Sequence, residues 1–325
     1  MRIDERSVRL SVEHWEKYYR DGVVATCPTS PAGEYDLELR QVWEEFFEEL
    51  PEGASLLDIG TGNGAVVLIA RETARRLGRN WNIHGADLAR IDPARHVRGG
   101  QARFEGCRFH PGMATESLTF DDDFFDVVTG HYALEYSDIP GAMAAIHRVL
   151  KAGGRARFII HHDRSVLVAN AHRSLAESEF VLNQTRVYRY LRRLVTMDDA
   201  SPSPQGRETV NLRQRIQALR QAREQAARSG GGMVLNVTLD AIRRVLAARP
   251  GTGPEAAGRE VDRIESELRA SVRRLRDLLG RARDERGMVE MEDQARDAGF
   301  EIEEREAQYH AGDNLVGWRL TLRKK

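Results

Sequence analysis

Apolar and polar positions follow two rhythms along the chain. The run Ser55-Leu56-Leu57-Asp58-Ile59 is nearly continuous in apolar residues. It ends in glycines at every second position, Gly60, Gly62 and Gly64, and gives way to an amphipathic stretch reaching about Leu77. That order predicts a buried parallel strand, a tight turn and a helix. Glycine suits the turn because a Cβ would block it and hold a ligand away from the backbone. The free N–H groups at the helix start then face whatever sits above the strand end. Short apolar runs recur at residues 81–86, 107–110, 124–129 and 155–160, with a helical pattern over 139–150 closed by Lys151-Ala152-Gly153-Gly154. Glycine there reads as a left-handed helix cap. Strands alternating with helices predict a parallel α/β sheet.

Two amphipathic segments come first. Residues 12–19 place Trp15, Tyr18 and Tyr19 on one helical face, and residues 37–50 turn Val42, Phe46 and Phe47 inward; residues 26–35 between them read as a loop. They form either an apron packed on the sheet or a flap over a ligand. At the other end, a helix over 288–298 precedes two alternating stretches, 300–309 and 315–323, that read as paired strands. Residues 163–286 are helical throughout, over 165–196, 210–228, 234–248 and 254–283. Linkers at Ser201-Pro202-Ser203-Pro204-Gln205-Gly206, Ser229-Gly230-Gly231-Gly232 and Pro250-Gly251-Thr252-Gly253 break them. Val261, Ile264, Leu268, Leu275, Leu278 and Ala282 keep a 3-4 rhythm that suits a short helical pair or bundle. Three regions result: an N-terminal apron or flap (1–53), a sheet domain (54–162 and 287–325) and a helical insertion (163–286).

A net charge of −1 argues against a globally basic nucleic-acid binder. The insertion holds 24 arginines, no lysine and a positive excess. Such charge reads as a solvated face, a lid attracting an acidic substrate, or a dimer arm. The chain starts with charged residues and has no signal-peptide pattern or run of membrane-spanning length. Cys27 and Cys107 lack metal spacing and fit a reducing cytoplasm. Asp121-Asp122-Asp123 reads as a solvated turn, so no metal is expected.

The glycine loop alone also fits the dinucleotide fingerprint, as Gly60-x-Gly62-x-x-Ala65. Asp58, two residues before the first glycine, tips the balance. Asp-x-Gly-x-Gly-x-Gly resembles the first motif of class I S-adenosylmethionine (SAM) dependent methyltransferases. Phe125-Asp126-Val127-Val128, Ala133-Leu134-Glu135-Tyr136 and Arg148-Val149-Leu150-Lys151-Ala152-Gly153-Gly154 resemble the same family in order and spacing. The resemblance implies a Rossmann-like sheet of seven strands, ordered 3-2-1-4-5-7-6 with the last antiparallel, here with a long helical insertion after strand 5. It implies SAM as cofactor, S-adenosylhomocysteine as product, and a role for Tyr35 near the methionine end. Asp58, Gly60, Thr61, Gly62, Asn63 and Gly64 would form the motif beside the amino-acid tail. Asp87, at the tip of the second strand, would accept from the ribose hydroxyls, with a helix cap as its alternative reading. Leu88 would lie against adenine. An acid that many relatives place after the third strand is missing here, so adenine contact would rest on backbone and on Met113 or Ala114. Gly130 and His131 would touch the cofactor at the end of strand 4.

Candidate bases also lie at strand ends: His131, Tyr132 and His162 are favoured, while alternation lets only one of His161 and His162 face the site. Glu135 would serve as base or anchor the loop. The expected reaction is in-line methyl transfer to O or N of a small molecule, for which an acidic acceptor would suit the arginine-rich insertion. A protein or RNA methyltransferase, a non-catalytic SAM-binding module and an NAD(P)-dependent oxidoreductase are the alternatives. Gly130-His131-Tyr132-Ala133 stands where an Asn-Pro-Pro-Tyr acceptor motif would be, which counts against nucleobase substrates. A homodimer through the insertion is a further expectation.

Overall fold

The computed structural model describes residues 5–27, 33–197 and 202–325. Part of the charged start (1–4), the middle of the expected loop (28–32) and Ser201 of the expected linker lie outside them. The chain divides into two compact units, residues 1–168 with 281–325, and residues 169–280.

In chain order, α1 (Glu5–Arg20) and α2 (Leu37–Glu48) precede β1 (Ser55–Ile59), α3 (Ala65–Leu77) and β2 (Asn82–Asp87). Two single turns, α4 (Pro93–His96) and α5 (Gly100–Arg103), lead to β3 (Arg108–Pro111), β4 (Phe125–His131), α6 (Ile139–Val149) and β5 (Leu150–Ile160). The inserted helices are α7 (Val166–Glu179), α8 (Val187–Thr196), α9 (Pro202–Ala227), α10 (Met233–Ala248) and α11 (Pro254–Arg281). The chain then returns through α12 (Glu285–Asp297), β6 (Phe300–His310) and β7 (Asn314–Lys324). The sheet order is β3-β2-β1-β4-β5-β7-β6, as expected. β1 to β5 pair in parallel, and β7 runs antiparallel to both β5 and β6.

Strand side chains alternate between faces, and each face has its own core. Leu56, Val127 and Ile159 join Trp43, Phe46 and Phe47 of α2 and Leu68 of α3. Leu57, Val128 and Phe158 turn the other way, toward Met143 and Ile146 of α6 and Met288 and Met291 of α12. Because both faces are covered, the inner strands read as apolar runs with little polar alternation.

Several expectations are corrected. The expected glycine cap after α6 does not form: Leu150 is extended and fully buried, pairing with Phe125 as the first residue of β5. Sheet pairing overrides the local cap signal. Gly154 serves close approach instead, since a Cβ there would meet the Asp126 carbonyl oxygen at 3.1 Å. Strand β4 runs two residues longer than its apolar pattern, taking in Gly130 and His131 opposite Phe158 and Ile159. The helix expected over 165–196 is broken by a π turn, Phe180–Thr185, where the Thr185 hydroxyl donates back to the Val181 carbonyl (2.7 Å) and Arg186 turns left-handed. The linker expected to run through Gly206 starts a helix at Pro202, since proline is tolerated in a first turn. The inserted unit has its own apolar core, built on Val181, Leu191, Leu219, Leu235, Ile242 and Val261.

Phe158 is fully buried in the centre of the sheet. Phe158→Ala is expected to cost about 3–5 kcal/mol, read as a lower urea midpoint for the sheet unit.

Candidate functional site

The site is built on the carboxyl ends of β1, β2, β4 and β5. After Ile59 the chain turns through Gly60 (φ 55°), Gly62 (φ 53°) and Gly64 (φ 81°). These angles are strained for any side chain, and space forbids one as well. A Cβ at Gly60 would stand 2.4 Å from the Ala133 Cβ, and one at Gly62 would stand 2.7 Å from the Tyr19 ring.

Two buried carboxyls flank this loop. Asp58 accepts from the Thr129 hydroxyl (2.9 Å), and burial pushes its carboxyl up to about 7 against that bond. Asp87 accepts from the Gly62 N–H (2.8 Å) with one oxygen and from the Ala89 N–H (2.7 Å) with the other. Burial pushes it up to about 6, with both N–H groups opposing. Asp92, not Asp87, caps the short helix α4 by accepting from the Arg95 N–H.

At the ends of β4 and β5 the structure gathers rings. His131 is buried, stacks on Tyr35 at 4.0 Å, and accepts at Nδ1 from the Trp43 indole N–H (3.0 Å). Since Nδ1 accepts, Nε2 carries the proton and is a buried donor with no partner among the described residues. Burial holds the imidazole well below its ordinary value. His131 is therefore arranged to donate and position. Tyr132, left-handed at φ 53°, donates its hydroxyl to the Val316 carbonyl (3.0 Å), which ties the loop to β7. Glu135 is fully buried, and one of its oxygens accepts from both the backbone N–H (2.8 Å) and Nδ1 (2.7 Å) of His161. A carboxylate only accepts, so His161 carries its proton on Nδ1 and presents a bare, buried Nε2. His161 also packs on Tyr132, with ring centroids 4.0 Å apart.

The expectation for His162 is corrected here. It points to the opposite side of β5, stacked on Trp318 at 4.2 Å, and its Nδ1 accepts from the Arg164 N–H (3.0 Å). Alternation along β5 admits one histidine to the ring cluster, and that one is His161.

A family model described as "Methyltransferase domain" matches residues 32–197, half of the chain. This chain is a class I SAM-dependent methyltransferase. The enzyme is 28% identical to a 2-phytyl-1,4-naphtoquinone methyltransferase of Nostoc punctiforme over 54% of its own chain and 78% of that protein. It is also 28% identical to a ubiquinone/menaquinone biosynthesis C-methyltransferase of Xylella fastidiosa, over 42% of this chain and 58% of the other. The methyltransferase thus spans less than two thirds of that second relative's length. The solved structure of a SAM-dependent methyltransferase from Methanosarcina mazei covers 86% of this chain and 96% of its own, at 14% identity and TM-score 0.42.

The methyltransferase's own residues fit SAM chemically. Tyr35, Asp58, Gly60, Thr61, Gly62 and His131 line one crevice. Asp58 suits the cofactor's ammonium, and the orphaned His131 Nε2–H suits its carboxylate. Asp87 uses two of about four lone-pair sites on backbone N–H groups, which leaves two for a pair of ribose hydroxyls. Asp87 stands behind the crevice and does not line it, nor do Asn63, Gly64, Leu88, Met113, Ala114 and Gly130. Asn63 is fully buried, and its amide donates to the Tyr19 (2.8 Å) and Val23 (2.7 Å) carbonyls, clamping the N-terminal segment over the loop. Met113 donates its N–H to the Asp87 carbonyl (2.9 Å) and packs its side chain into the sheet core. Ala114 leads into a 3₁₀ turn, Leu88 is exposed, and Gly130 sits between Ile59 and Phe158.

Tyr19, Val24, Ala25 and Thr26 line the same crevice, whose volume is about 20 Å³. That is room for about one water. SAM needs more room than this, so side chains that line the crevice must shift to admit it. Tyr19 and Trp43 are the members of the site that the sequence does not mark individually, while Glu135 and His161 stand among its candidate bases. The aromatic face of residues 12–19 was the one available hint of the first.

Raised folded-state carboxyls favour the folded apoprotein at low pH. Unfolded aspartates titrate near ~3.9, so the contribution is complete below about pH 4 and disappears as pH rises through about 6 to 7. The melting temperature of the apoprotein should therefore fall over that window, and Asp58→Asn should flatten the fall. Thermal unfolding of both proteins at a series of pH values checks this.

Proposed function

We propose that this methyltransferase methylates O or N of a small-molecule acceptor, with His161 taking the acceptor's proton. The reading is carried by the Glu135–His161 pair. A fixed tautomer and a bare, buried Nε2 make a general base in place.

When bound, SAM supplies a methyl group on a positively charged sulfur, open to in-line displacement. The protein's part is alignment and exclusion of water, which can supply up to about 7–11 kcal/mol. Asp58 and His131 hold the tail, Asp87 the sugar, and Tyr35 and Tyr19 the roof. Only an acceptor still protonated at working pH, such as a hydroxyl, needs His161. We place this reaction in a reducing cytoplasm, in keeping with the free thiols of Cys27 and Cys107.

A carbon acceptor is the second reading, favoured by the C-methyltransferase among the relatives. Loss of a proton from a ring hydroxyl enriches both the oxygen and the neighbouring ring carbons, so one base serves either outcome.

Two measurements test the assignment. His161→Gln should lower turnover of phenolic acceptors by about 10²–10⁴-fold and leave affinity for S-adenosylhomocysteine unchanged. Acceptors already ionised at the assay pH should be methylated by the variant at nearly the wild-type rate; an equal loss for both kinds would show that His161 is not the base. Asp87→Ala should weaken S-adenosylhomocysteine, and calorimetric titration giving wild-type affinity would remove the ribose contact from the scheme.

A further inference from the structure

A second cavity lies beside the site, lined entirely by residues of the sheet unit. Its volume is about 480 Å³, within the usual range for small-molecule pockets. Tyr136 forms part of its wall and also faces His161, with ring centroids 6.1 Å apart. Arg281, the last residue of α11, and Arg283 also line it.

The charges on these walls are unevenly committed. Glu116 accepts from the Asp138 N–H (3.3 Å), Asp138 caps α6 by accepting from the Gly141 N–H (3.3 Å), and Glu290 pairs with Arg286 (3.1 Å). Neither Arg281 nor Arg283 has an acidic partner among the described residues, and Arg283 Nε is buried without a hydrogen-bond acceptor. Two guanidiniums without acidic partners on the wall of one cavity make a place for an anion. Arg283 is also firmly held. Its N–H donates to the His161 carbonyl (2.7 Å), and its own carbonyl accepts from the Trp318 indole (2.9 Å) and the Asp163 N–H (3.1 Å). The same backbone that places the proposed base thus places the cation. Ile139, Pro140 and Met291 supply the apolar part of the lining.

We propose that this cavity receives the methyl acceptor, and that the acceptor is a small molecule bearing a carboxylate or phosphate. Arg281 and Arg283 hold the anionic group, and the apolar body lies along Ile139, Pro140 and Tyr136 with its reactive end at His161. Guanidinium forks match the planar geometry of such oxyanions. The proposal rests on the methyl-transfer reading given above and adds the class of substrate to it.

Inorganic phosphate and benzoate serve as probes, titrated calorimetrically at constant ionic strength into the full-length protein saturated with S-adenosylhomocysteine. Wild type should bind at least one of them. Arg281→Gln and Arg283→Gln should each weaken that binding by about tenfold or more, with S-adenosylhomocysteine affinity unchanged within about twofold. Arg281 is exposed at a helix end, so its variant carries the test even if Arg283→Gln fails to fold. S-adenosylhomocysteine bound but both anions refused, or both variants holding wild-type anion affinity, overturns the anion pocket and leaves the donor site standing. Refusal of S-adenosylhomocysteine itself by the wild type overturns the reading beneath it.

Discussion

The bond from the Gly62 N–H to the Asp87 carboxylate is the constraint on which the site depends. It ties the glycine turn after β1 to the tip of β2, two parallel strands with no covalent link shorter than the intervening helix. With Ala89 on its other oxygen, the carboxylate cannot rotate, so the turn and the second strand tip present one rigid edge. The left-handed glycines follow from this, since the turn must bring a backbone N–H within 2.8 Å of a side chain at the neighbouring strand tip.

A second level of order is polar and lies inside the sheet's carboxyl edge. Trp43 holds His131 from α2, Glu135 holds His161 from the loop after β4, and Tyr132 reaches across to the Val316 carbonyl of β7. Each pairing joins residues far apart in sequence, and each fixes a proton on a stated atom. The two histidines are therefore unlike: one presents a proton, the other a lone pair. Similar burial leads to opposite chemistry because the partner of Nδ1 differs.

The motif at residues 58–64 and, to within a residue, the starts of β1 to β4 were legible in the sequence, because apolar runs and alternating glycines reflect local backbone geometry; the sheet order was implied by the family resemblance and by nothing in the periodicity. Less legible was whatever depends on a distant partner. Leu150 carries the signal of a helix end, yet Phe125 draws it into a strand. Asn63 sits in the motif, and only the carbonyls of Tyr19 and Val23 show that its amide clamps the N-terminal segment. The choice between His161 and His162 turned on which face of β5 meets the β4 loop, a matter of register that two adjacent histidines leave open. Gly130 fits the family pattern by position, but its neighbours Ile59 and Phe158 make it a packing residue.

The place of β7 has a consequence for how the molecule is made. This strand fills the gap between β5 and β6, so β5 has no partner on that side until residues 314–324 have been synthesised. At translation rates of roughly 5–20 residues per second, its open edge persists for on the order of ten to thirty seconds while the inserted helices emerge from the ribosome. An unpaired edge beside a growing chain invites wrong pairing. An inserted unit with an apolar core of its own limits that risk, because its helices can collapse on one another and leave the waiting edge for the strand that belongs there.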